Sequence, residues 1–203
     1  MTALDKIVLA SSNSAKLKEL QDILASKNVS LIPQSEFDIP DAVEDGLSFV
    51  ENAIIKARHA SRLSGLAALA DDSGLEVDAL HGEPGIFSAR YAGLNKDRES
   101  NDAANNVLLL KNMAQIAEEN RSARFQCCIA LVRFPEDPMP LICQGSWEGR
   151  ILFNEQGSNG FGYDSLFFVP EYNCASAELE AAVKNSLSHR AQALQKLLTC
   201  FPV

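Results

Sequence analysis

The sequence has few of the features that mark zinc-binding, membrane-spanning or repeat proteins. Its five cysteines include the adjacent pair Cys127 and Cys128, but none has the Cys-x-x-Cys or His-flanked spacing of a zinc site. No apolar stretch is long enough to cross a bilayer, and no internal repeat or low-complexity linker interrupts the 203 residues. We therefore expect a cytoplasmic protein in which most cysteines act as small apolar residues in a reducing compartment.

Positive charge is also scarce. Lysine and arginine number 18 against 27 aspartates and glutamates, which gives a net charge of -9. This balance argues against a nucleic acid or an anionic membrane as partner, and a small anionic ligand would need a local group of cations or a metal ion. Hydrophobic residues make up 46%, enough for a real core, and the length suits one domain over residues 1–203 or two closely packed lobes.

Four helices are predicted from apolar residues that recur at helical spacing. The first follows a short apolar strand over residues 7–10 and a polar loop. The second begins at Ser48, which matches a capping box with Glu51, and ends at Gly65. The third covers about 99–120, and the last begins at Ser188. The residues predicted to face inward are Leu17, Leu20, Ile23, Leu24, Val107, Leu108, Met113, Ile116, Ala191, Leu194, Leu197 and Leu198.

Longer strands are predicted in the middle of the chain. The segments "RFQCCIALVRF", "PLICQGSWEGRILF" and "SLFFVP" are rich in β-formers and are separated by proline and glycine. Together with the helices they indicate an α/β fold with a mixed sheet, in two lobes around a cleft.

The segment "SSNSAK", residues 11–16, has two interpretations of equal weight. It lies where a strand passes into a helix, so main-chain N–H groups, hydroxyls and Lys16 could bind phosphate there. Helix capping by Asn13 or Ser14 explains the same residues. The Walker A spacing is absent.

The segment "AALADDSGLEVDAL" sets Asp71 and Asp72 side by side after an apolar run. Because successive side chains of a strand point to opposite faces, only one aspartate should enter a given cleft. Asp72 directly precedes Ser73 and Gly74, where the backbone can turn, and is therefore the better candidate for a free carboxylate. Mg²⁺ is often held by one or two carboxylates plus substrate phosphates. For this segment alone, a solvated turn is the favoured interpretation.

Two further segments are candidates for base recognition. In "GSNGFGYDSLFF", glycines around Phe161 and Tyr163 allow an aromatic face to stack on a purine or pyrimidine, although a β-turn with buried aromatics is the favoured alternative. In "SHR", residues 188–190, Arg190 lies near the positive end of a helix dipole. A cation there is locally unfavourable, which makes Arg190 a candidate for ligand binding.

Taken in order, these motifs resemble the inosine triphosphate pyrophosphatase (HAM1-like) family. The matching stretches are "SSNSAKLKEL", "EDGLSFVENAIIKA", "ADDSGLEVDAL", "PGIFSARYAG", "FGYD" and "SHR". The resemblance implies Mg²⁺-dependent hydrolysis of non-standard purine nucleoside triphosphates (ITP, dITP and XTP) to the monophosphate and pyrophosphate. It also implies an elongated mixed sheet flanked by helices, an active-site cleft between two lobes, and a homodimer. Nucleic acid and membrane are not expected as partners, because the net charge argues against both.

The resemblance also assigns roles to particular residues. Asp72 would be the proton acceptor and a metal ligand, Lys56 would line the reaction site, and Ser73 would contact substrate. The phosphates would be held by Ser11, Ser12, Asn13, Ser14, Ala15 and Lys16, and the base by Phe161, Gly162, Tyr163, Asp164, Lys184, His189 and Arg190. The family often has two consecutive glutamates where this chain has Val43 and Glu44, so we expect Glu44 to be the second metal ligand.

Two alternatives stay open at the level of sequence. The related septum-inhibitor-like nucleotide pyrophosphatases have a similar fold but act on other nucleotides, so base preference separates the two families. A non-catalytic nucleotide-binding module would need no proton acceptor such as Asp72, so metal-dependent turnover separates it from an enzyme.

Overall fold

The structure is a computed structural model that describes residues 4–11, 20, 29–93 and 98–201. Of the residues predicted to face inward from the first helix, Leu20 is described and is buried, as predicted, in a cluster with Ile7 and Leu9. Leu17, Ile23 and Leu24 lie outside the described residues. Within the described ranges, no helix combines the length and the apolar character needed to cross a membrane.

Seven strands and four α-helices form in the described part of the chain. The strands are β1 Lys6–Leu9, β2 Ser30–Pro33, β3 Ala67–Val77, β4 Ser122–Val132, β5 Leu141–Ile151, β6 Phe167–Val169 and β7 Cys174–Ala175. The helices are α1 Phe49–Ser64, α2 Arg98–Asn112, α3 Ala181–Leu187 and α4 His189–Cys200. Short 3-10 helices lie at Gln34–Phe37, Asp78–Leu80, Gly85–Arg90, Glu118–Asn120, Gly162–Ser165 and Ser176–Glu178.

The strands form one mixed sheet in the order β2-β1-β3-β4-β5-β6-β7. Strand β1 pairs in parallel with β2 and β3, whereas β6 pairs antiparallel with β5 and β7. The predicted α/β class with a mixed sheet flanked by helices is therefore confirmed.

The chain divides into two compact units. The first unit comprises Met1–Asp72, Cys127–Gln144 and Gln192–Val203, and the second comprises Ser73–Gln126 and Gly145–Ala191. The assignment of residues 1–203 to a single domain stays a prediction.

In the first unit, the strands are buried on both faces. Ile7 and Leu9 of β1 pack in a cluster with Leu194 and Leu197 of α4, whereas Val8 packs in a separate cluster against α1. The α1 residues in that second cluster are small: Ala53, Ala57 and Ala60. Their spacing places them on one helical face, where short side chains allow the helix backbone to approach the sheet closely.

The adjacent cysteines follow the same alternation along β4. Cys127 belongs to the cluster that contains Ile7, and Cys128 to the cluster that contains Val8. Burial raises the pKa of the Cys128 thiol to about 11, which keeps it protonated at neutral pH. Both residues act as small apolar core side chains, as the sequence predicts.

In the second unit, aromatic rings fill the core. Phe125 packs on Phe167 with ring centroids 4.6 Å apart, and Trp147 packs on the same Phe167 ring at 5.3 Å. Leu109 of α2 and Met113, the residue directly after that helix, lie in this cluster and are fully buried.

The N-cap and the C-cap of α1 are confirmed, although the Glu51 carboxylate accepts from the main-chain N–H of Leu47 instead of completing the capping box at Ser48. Oγ of Ser48 accepts a hydrogen bond from the main-chain N–H of Glu51 at 3.3 Å. Gly65 ends the helix with a φ of 72°, the left-handed conformation that glycine adopts without steric cost. Because the start of the helix is fixed in this way, the positions of Asn52 and Lys56 on successive turns are fixed as well.

The third predicted helix is partly wrong in extent and in phase. Helix α2 ends at Asn112 rather than near 120, and Val107, predicted to face inward, is 64% exposed. Asn105 and Asn106 are buried instead, together with Leu109. Met113, also predicted to face inward, is fully buried, and Ile116 packs against the same cluster. The prediction failed at Val107 because two polar residues occupy the inner face, where a pattern of apolar residues does not show them.

Candidate active site

The first unit brings a lysine between two carboxylates. Nζ of Lys56 on α1 lies 2.8 Å from Oδ1 of Asp72 on β3 and 3.2 Å from Oε1 of Glu44, in the loop before α1. A cavity of about 220 Å³ adjoins this group and is lined by Ala10, Ser11, Gln34, Asp41, Ala42, Glu44, Lys56 and Asp71. Three residues predicted from two separate motifs, Glu44 and Lys56 from one and Asp72 from the other, therefore lie together.

The predicted turn after Asp72 is wrong. Strand β3 continues through Ser73 and Gly74, because Leu75 is fully buried and its main-chain N–H donates to Oγ of Ser88 at 2.9 Å. Asp72 is therefore an ion-paired carboxylate within a strand, and not a free one at a strand end. Asp71 is buried as well, so neither aspartate forms a solvated turn.

The charges of this group act on one another. Burial raises the pKa of the Asp72 carboxyl above its ordinary value, Lys56 opposes that rise, and the negative charge of Glu44 adds to it. Burial works to lower the pKa of the Lys56 ammonium, but Asp72, Glu44 and Asp71 together raise it. Lys56 therefore stays protonated, and Asp72 takes up a proton more readily than an exposed aspartate does.

Asn52 belongs to this site although the sequence analysis gave it no role. It is fully buried one helical turn before Lys56, and its Oδ1 accepts a hydrogen bond from the main-chain N–H of Gly46 at 2.9 Å. A Cβ at Gly46 would collide with this Asn52 oxygen, so glycine is needed for the close approach. The side chain also works to lower the pKa of Asp72. The available signal in the sequence was the position of Asn52, directly before the core residue Ala53 and one helical turn before Lys56.

The donor set fits a divalent cation that is held partly by substrate. Among the described residues, no group of three or more histidine, cysteine, aspartate or glutamate side chains could hold a metal ion by itself. Asp72 and Glu44, however, converge on one point, at present the ammonium of Lys56. Two carboxylates that leave further positions to water and phosphate oxygens are the typical protein contribution to a Mg²⁺ site.

The second unit contains the predicted aromatic loop. Phe161 is 50% exposed, and Nζ of Lys184 lies 5.2 Å from its ring centroid. Tyr163 is buried instead, and its hydroxyl donates to the carbonyl of Ser88 at 2.9 Å. Of the two aromatic residues, only Phe161 presents a face to solvent.

Asp164 organises this loop from inside. Its carboxylate accepts hydrogen bonds from the main-chain N–H of Phe161 (2.8 Å), from Oγ of Ser176 (3.1 Å) and from Nζ of Lys184. A Cβ at Gly160 would collide with this carboxylate, so the loop can close around it only with glycine there. These contacts hold Lys184 close to the ring of Phe161.

His189 opens α4 and is buried against an aromatic ring. The rings of His189 and Phe125 are stacked, with centroids 5.0 Å apart and planes inclined by 15°. Arg190 is half-buried at the next position. Phe125, which orients the imidazole, was missed in the sequence analysis because the segment "RFQCC" shows only a β pattern.

The predicted site residues fall into three sets. Lys56, Asp72 and Glu44 meet in the first unit, and Ser11 lines the adjoining cavity. Phe161, Gly162, Asp164 and Lys184 lie together in the second unit, where Tyr163, Ser73, His189 and Arg190 are also found. Ser12, Asn13, Ser14, Ala15 and Lys16 lie outside the described residues, so the phosphate loop stays a prediction.

Fold and side chains define a mixed-sheet α/β protein that combines a lysine–carboxylate group with an aromatic and basic loop. The sequence model of the Ham1 family matches residues 7–200, and the chain belongs to this family.

Relatives of similar length support this assignment. The chain is 54% identical to the dITP/XTP pyrophosphatase of Vibrio cholerae serotype O1, over 95% of this chain and 94% of that protein. It is 57% identical to the dITP/XTP pyrophosphatase of Pseudomonas syringae pv. tomato, over 94% of both. The solved structure of a HAM1 protein from Coxiella burnetii superposes with a TM-score of 0.91 at 51% identity, covering 96% of both chains.

Proposed function

We propose that the chain hydrolyses ITP, dITP and XTP to the nucleoside monophosphate and pyrophosphate, and so removes them from the nucleotide pool. Relatives named dITP/XTP pyrophosphatase, more than half identical over nearly the whole chain, support this proposal. The observation that carries it is the convergence of Asp72, Glu44 and Lys56. From the family resemblance we also propose a single domain, a homodimer and a cytoplasmic location.

In the proposed reaction, Asp72 accepts a proton from the attacking water. Its raised pKa favours this role, because a base works best when its pKa approaches the working pH. Lys56 holds the Asp72 carboxylate in place and donates to phosphate oxygens as negative charge develops on the leaving pyrophosphate. A divalent cation held by Asp72 and Glu44, which we propose is Mg²⁺, would supply further positive charge to those oxygens.

Base recognition is assigned to the loop of the second unit. The exposed face of Phe161 would stack on the purine, and Lys184, His189 and Arg190 would donate to the carbonyl at C6 of hypoxanthine or xanthine. Adenine has an amino group at that position, so donor would face donor. A buried polar group left unpaired costs about 1–3 kcal/mol, so two mismatches cost about 2–6 kcal/mol and give discrimination of roughly 30-fold to 10⁴-fold. Ser73, Gly162, Tyr163 and Asp164 would support the same substrate.

The deciding experiment incubates the purified protein with Mg²⁺ and, separately, ITP, dITP, XTP, GTP and ATP. We expect pyrophosphate to be released mainly from the first three, with little orthophosphate. Equal use of ATP would contradict the proposed recognition of the base. Release of orthophosphate would contradict the proposal that the bond cleaved is the one that releases pyrophosphate. Tight binding without turnover would indicate a nucleotide sensor.

A further inference from the structure

Helix α2 has an unusual inner face, because Asn105 and Asn106 are almost completely buried there beside Leu109. Asparagine is a poor helix former, and its amide must find partners when it is buried. Asn105 finds them in the segment 88–92, where it accepts from the N–H of Ala92 at 2.7 Å. Asn106 finds them in the loop that contains Phe161 and has no assigned role.

The side chains of Asp102 and Asn106 hold both main-chain polar groups of Gly162. Oδ2 of Asp102 accepts a hydrogen bond from the N–H of Gly162 at 2.9 Å, and Nδ2 of Asn106 donates to its carbonyl at 3.1 Å. The two helix residues are one turn apart, so they reach Gly162 from the same face of α2. Gly162 has a φ of 60°, a backbone conformation that few other residues adopt without strain.

Asn106 also fixes the beginning and the end of this loop. Its Nδ2 lies 3.1 Å from Oε2 of Glu155, which in turn accepts from Oγ of Ser165 at 2.6 Å. The main chain on either side of the Phe161 ring is therefore held by hydrogen bonds. Asp164 holds the N–H of Phe161 from within the loop, and α2 holds Gly162 from outside.

We propose that Asp102 and Asn106 are positioning residues for purine recognition, which act through Gly162 to hold the exposed ring of Phe161 ready for stacking. This inference rests on the proposed function of the loop. A ring that is held before the substrate arrives loses less conformational freedom on binding. Removal of the contacts that hold it should therefore weaken substrate binding and leave the chemical step unchanged.

The kinetic test measures KM and kcat for dITP by pyrophosphate release. We expect Asp102→Ala and Asn106→Ala each to raise KM about tenfold and to leave kcat within about twofold. Asp102→Asn should restore KM to within about threefold of the parent value, because the amide oxygen can still accept from Gly162. Val107→Ala, at an exposed position of the same helix, is the matched control and should change neither constant.

A double-mutant cycle separates this role from general destabilisation. If Asp102 acts through Phe161, Asp102→Ala should raise KM less than about twofold further when Phe161→Ala is already present. An undiminished rise in that background, or equal KM values for Asp102→Ala and Asp102→Asn, would overturn the proposal.

Amide hydrogen exchange of residues 157–166 gives a readout that does not depend on turnover. We expect exchange there to be about tenfold faster in Asp102→Ala and unchanged in Asp102→Asn. Unchanged exchange in Asp102→Ala would refute the positioning role even in an active enzyme. A parent protein that releases no pyrophosphate would refute the proposed function, while the exchange result would still decide whether α2 holds this loop.

Discussion

At the scale of single residues, the charge balance around Lys56 accounts for the chemistry of the site. One ammonium faces the carboxylates of Asp72 and Glu44, and Asp71 adds a further negative charge nearby. The group therefore has more negative than positive charge in a partly buried place. A group with excess negative charge attracts a divalent cation. When no cation is present, Lys56 remains as the partner of the two carboxylates, so they are not buried without a counter-charge.

Asp72→Asn should lower kcat about 10³-fold or more, because the amide cannot accept the proton from water. The protein should remain folded, since the amide is neutral and Lys56 keeps its contact with Glu44. Pyrophosphate release and circular dichroism check the two parts of this prediction. Asp78→Asn, on a half-exposed carboxylate just beyond β3, serves as control and should keep full activity. Normal turnover by folded Asp72→Asn would exclude Asp72 as the base.

Phe161→Ala should raise KM for dITP about 10- to 100-fold with little change in kcat, because base–aromatic stacking contributes about 1–3 kcal/mol. Steady-state kinetics on ITP and dITP test this. Tyr172→Ala removes a ring of similar exposure, 47% against 50%, from a turn between β6 and β7, and should leave KM unchanged. An unaltered KM in Phe161→Ala would mean that the base does not stack there.

At the scale of secondary structure elements, the buried side chain of Arg121 binds main-chain carbonyls at and beyond the ends of two elements. The guanidinium of Arg121 is enclosed and donates to the carbonyls of Met113 and Ile116 after α2 and of Ile151 and Leu152 at the end of β5. It joins the C-terminal end of α2 to the beginning of the loop that leads to Phe161.

Arg121→Met should lower the free energy of unfolding by about 3–5 kcal/mol, because it removes four hydrogen bonds to buried carbonyls. Urea unfolding followed by circular dichroism measures this change. Arg62→Met is the matched control, because Arg62 is exposed and lies as far as 3.9 Å from Glu136. A surface ion pair of this kind contributes less than about 1 kcal/mol to the free energy of unfolding. Equal losses in both variants would contradict a special role for Arg121.

The turn between β4 and β5 contains a pH-dependent contribution to stability. Hydrogen bonds from Arg133 and from the N–H of Met139 hold the pKa of the buried Asp137 carboxyl well below its ordinary value. A depressed pKa in the folded state stabilises the fold above the unfolded-state value, about 3.9, and this stabilisation is lost as pH falls toward the folded-state value.

Asp137→Asn should therefore lower the free energy of unfolding by about 2 kcal/mol at pH 7 and by clearly less at pH 3. Denaturant unfolding of both proteins at the two pH values gives the difference. Glu136→Gln, on an exposed carboxylate of the same turn, is the matched control and should change the free energy of unfolding at pH 7 by less than about 1 kcal/mol. If the two proteins differ in free energy of unfolding by the same amount at pH 7 and at pH 3, ionised Asp137 is not the source of the pH-dependent stability.

At the scale of the whole molecule, an acidic protein must bind a polyanion. With a net charge of -9, the chain repels a nucleoside triphosphate at long range, so binding depends on cations concentrated at the site. Lys56 is one such cation, and the proposed divalent ion is another. The pairing of Lys56 with Asp72 and Glu44 also suggests that the fold does not need the metal.

Removal of divalent ions should therefore stop turnover and leave stability unchanged. With excess EDTA, pyrophosphate release from dITP should fall to background, while the melting temperature should change by less than about 2 °C, because Lys56 already neutralises much of the carboxylate charge. Added Mg²⁺ should restore the rate. A large fall in melting temperature would indicate a structural metal, and full activity in EDTA would exclude a metal-dependent reaction.

The parts of the fold that were predicted correctly depend on short-range signals. The N-cap at Ser48 and the glycine at position 65 act within a few residues, so they define α1 from sequence. The predicted turn after Asp72 was wrong although aspartate, serine and glycine favour turns. The burial of Leu75 and its bond to Ser88 override that local preference.

The sequence by itself determined the fold class, the family and the residue types that the chemistry needs, because hydrophobic periodicity, caps and ordered motifs are properties of neighbouring residues. Tertiary structure decided which of those residues meet. Lys56 and Asp72 are 16 positions apart, and Asp102 and Gly162 are 60 apart, so only the packing of α1 and α2 brings them together. The buried Asn52 and Asn106 gain their roles in the same way, because a polar side chain in a core is stable only where the fold supplies its hydrogen-bond partners.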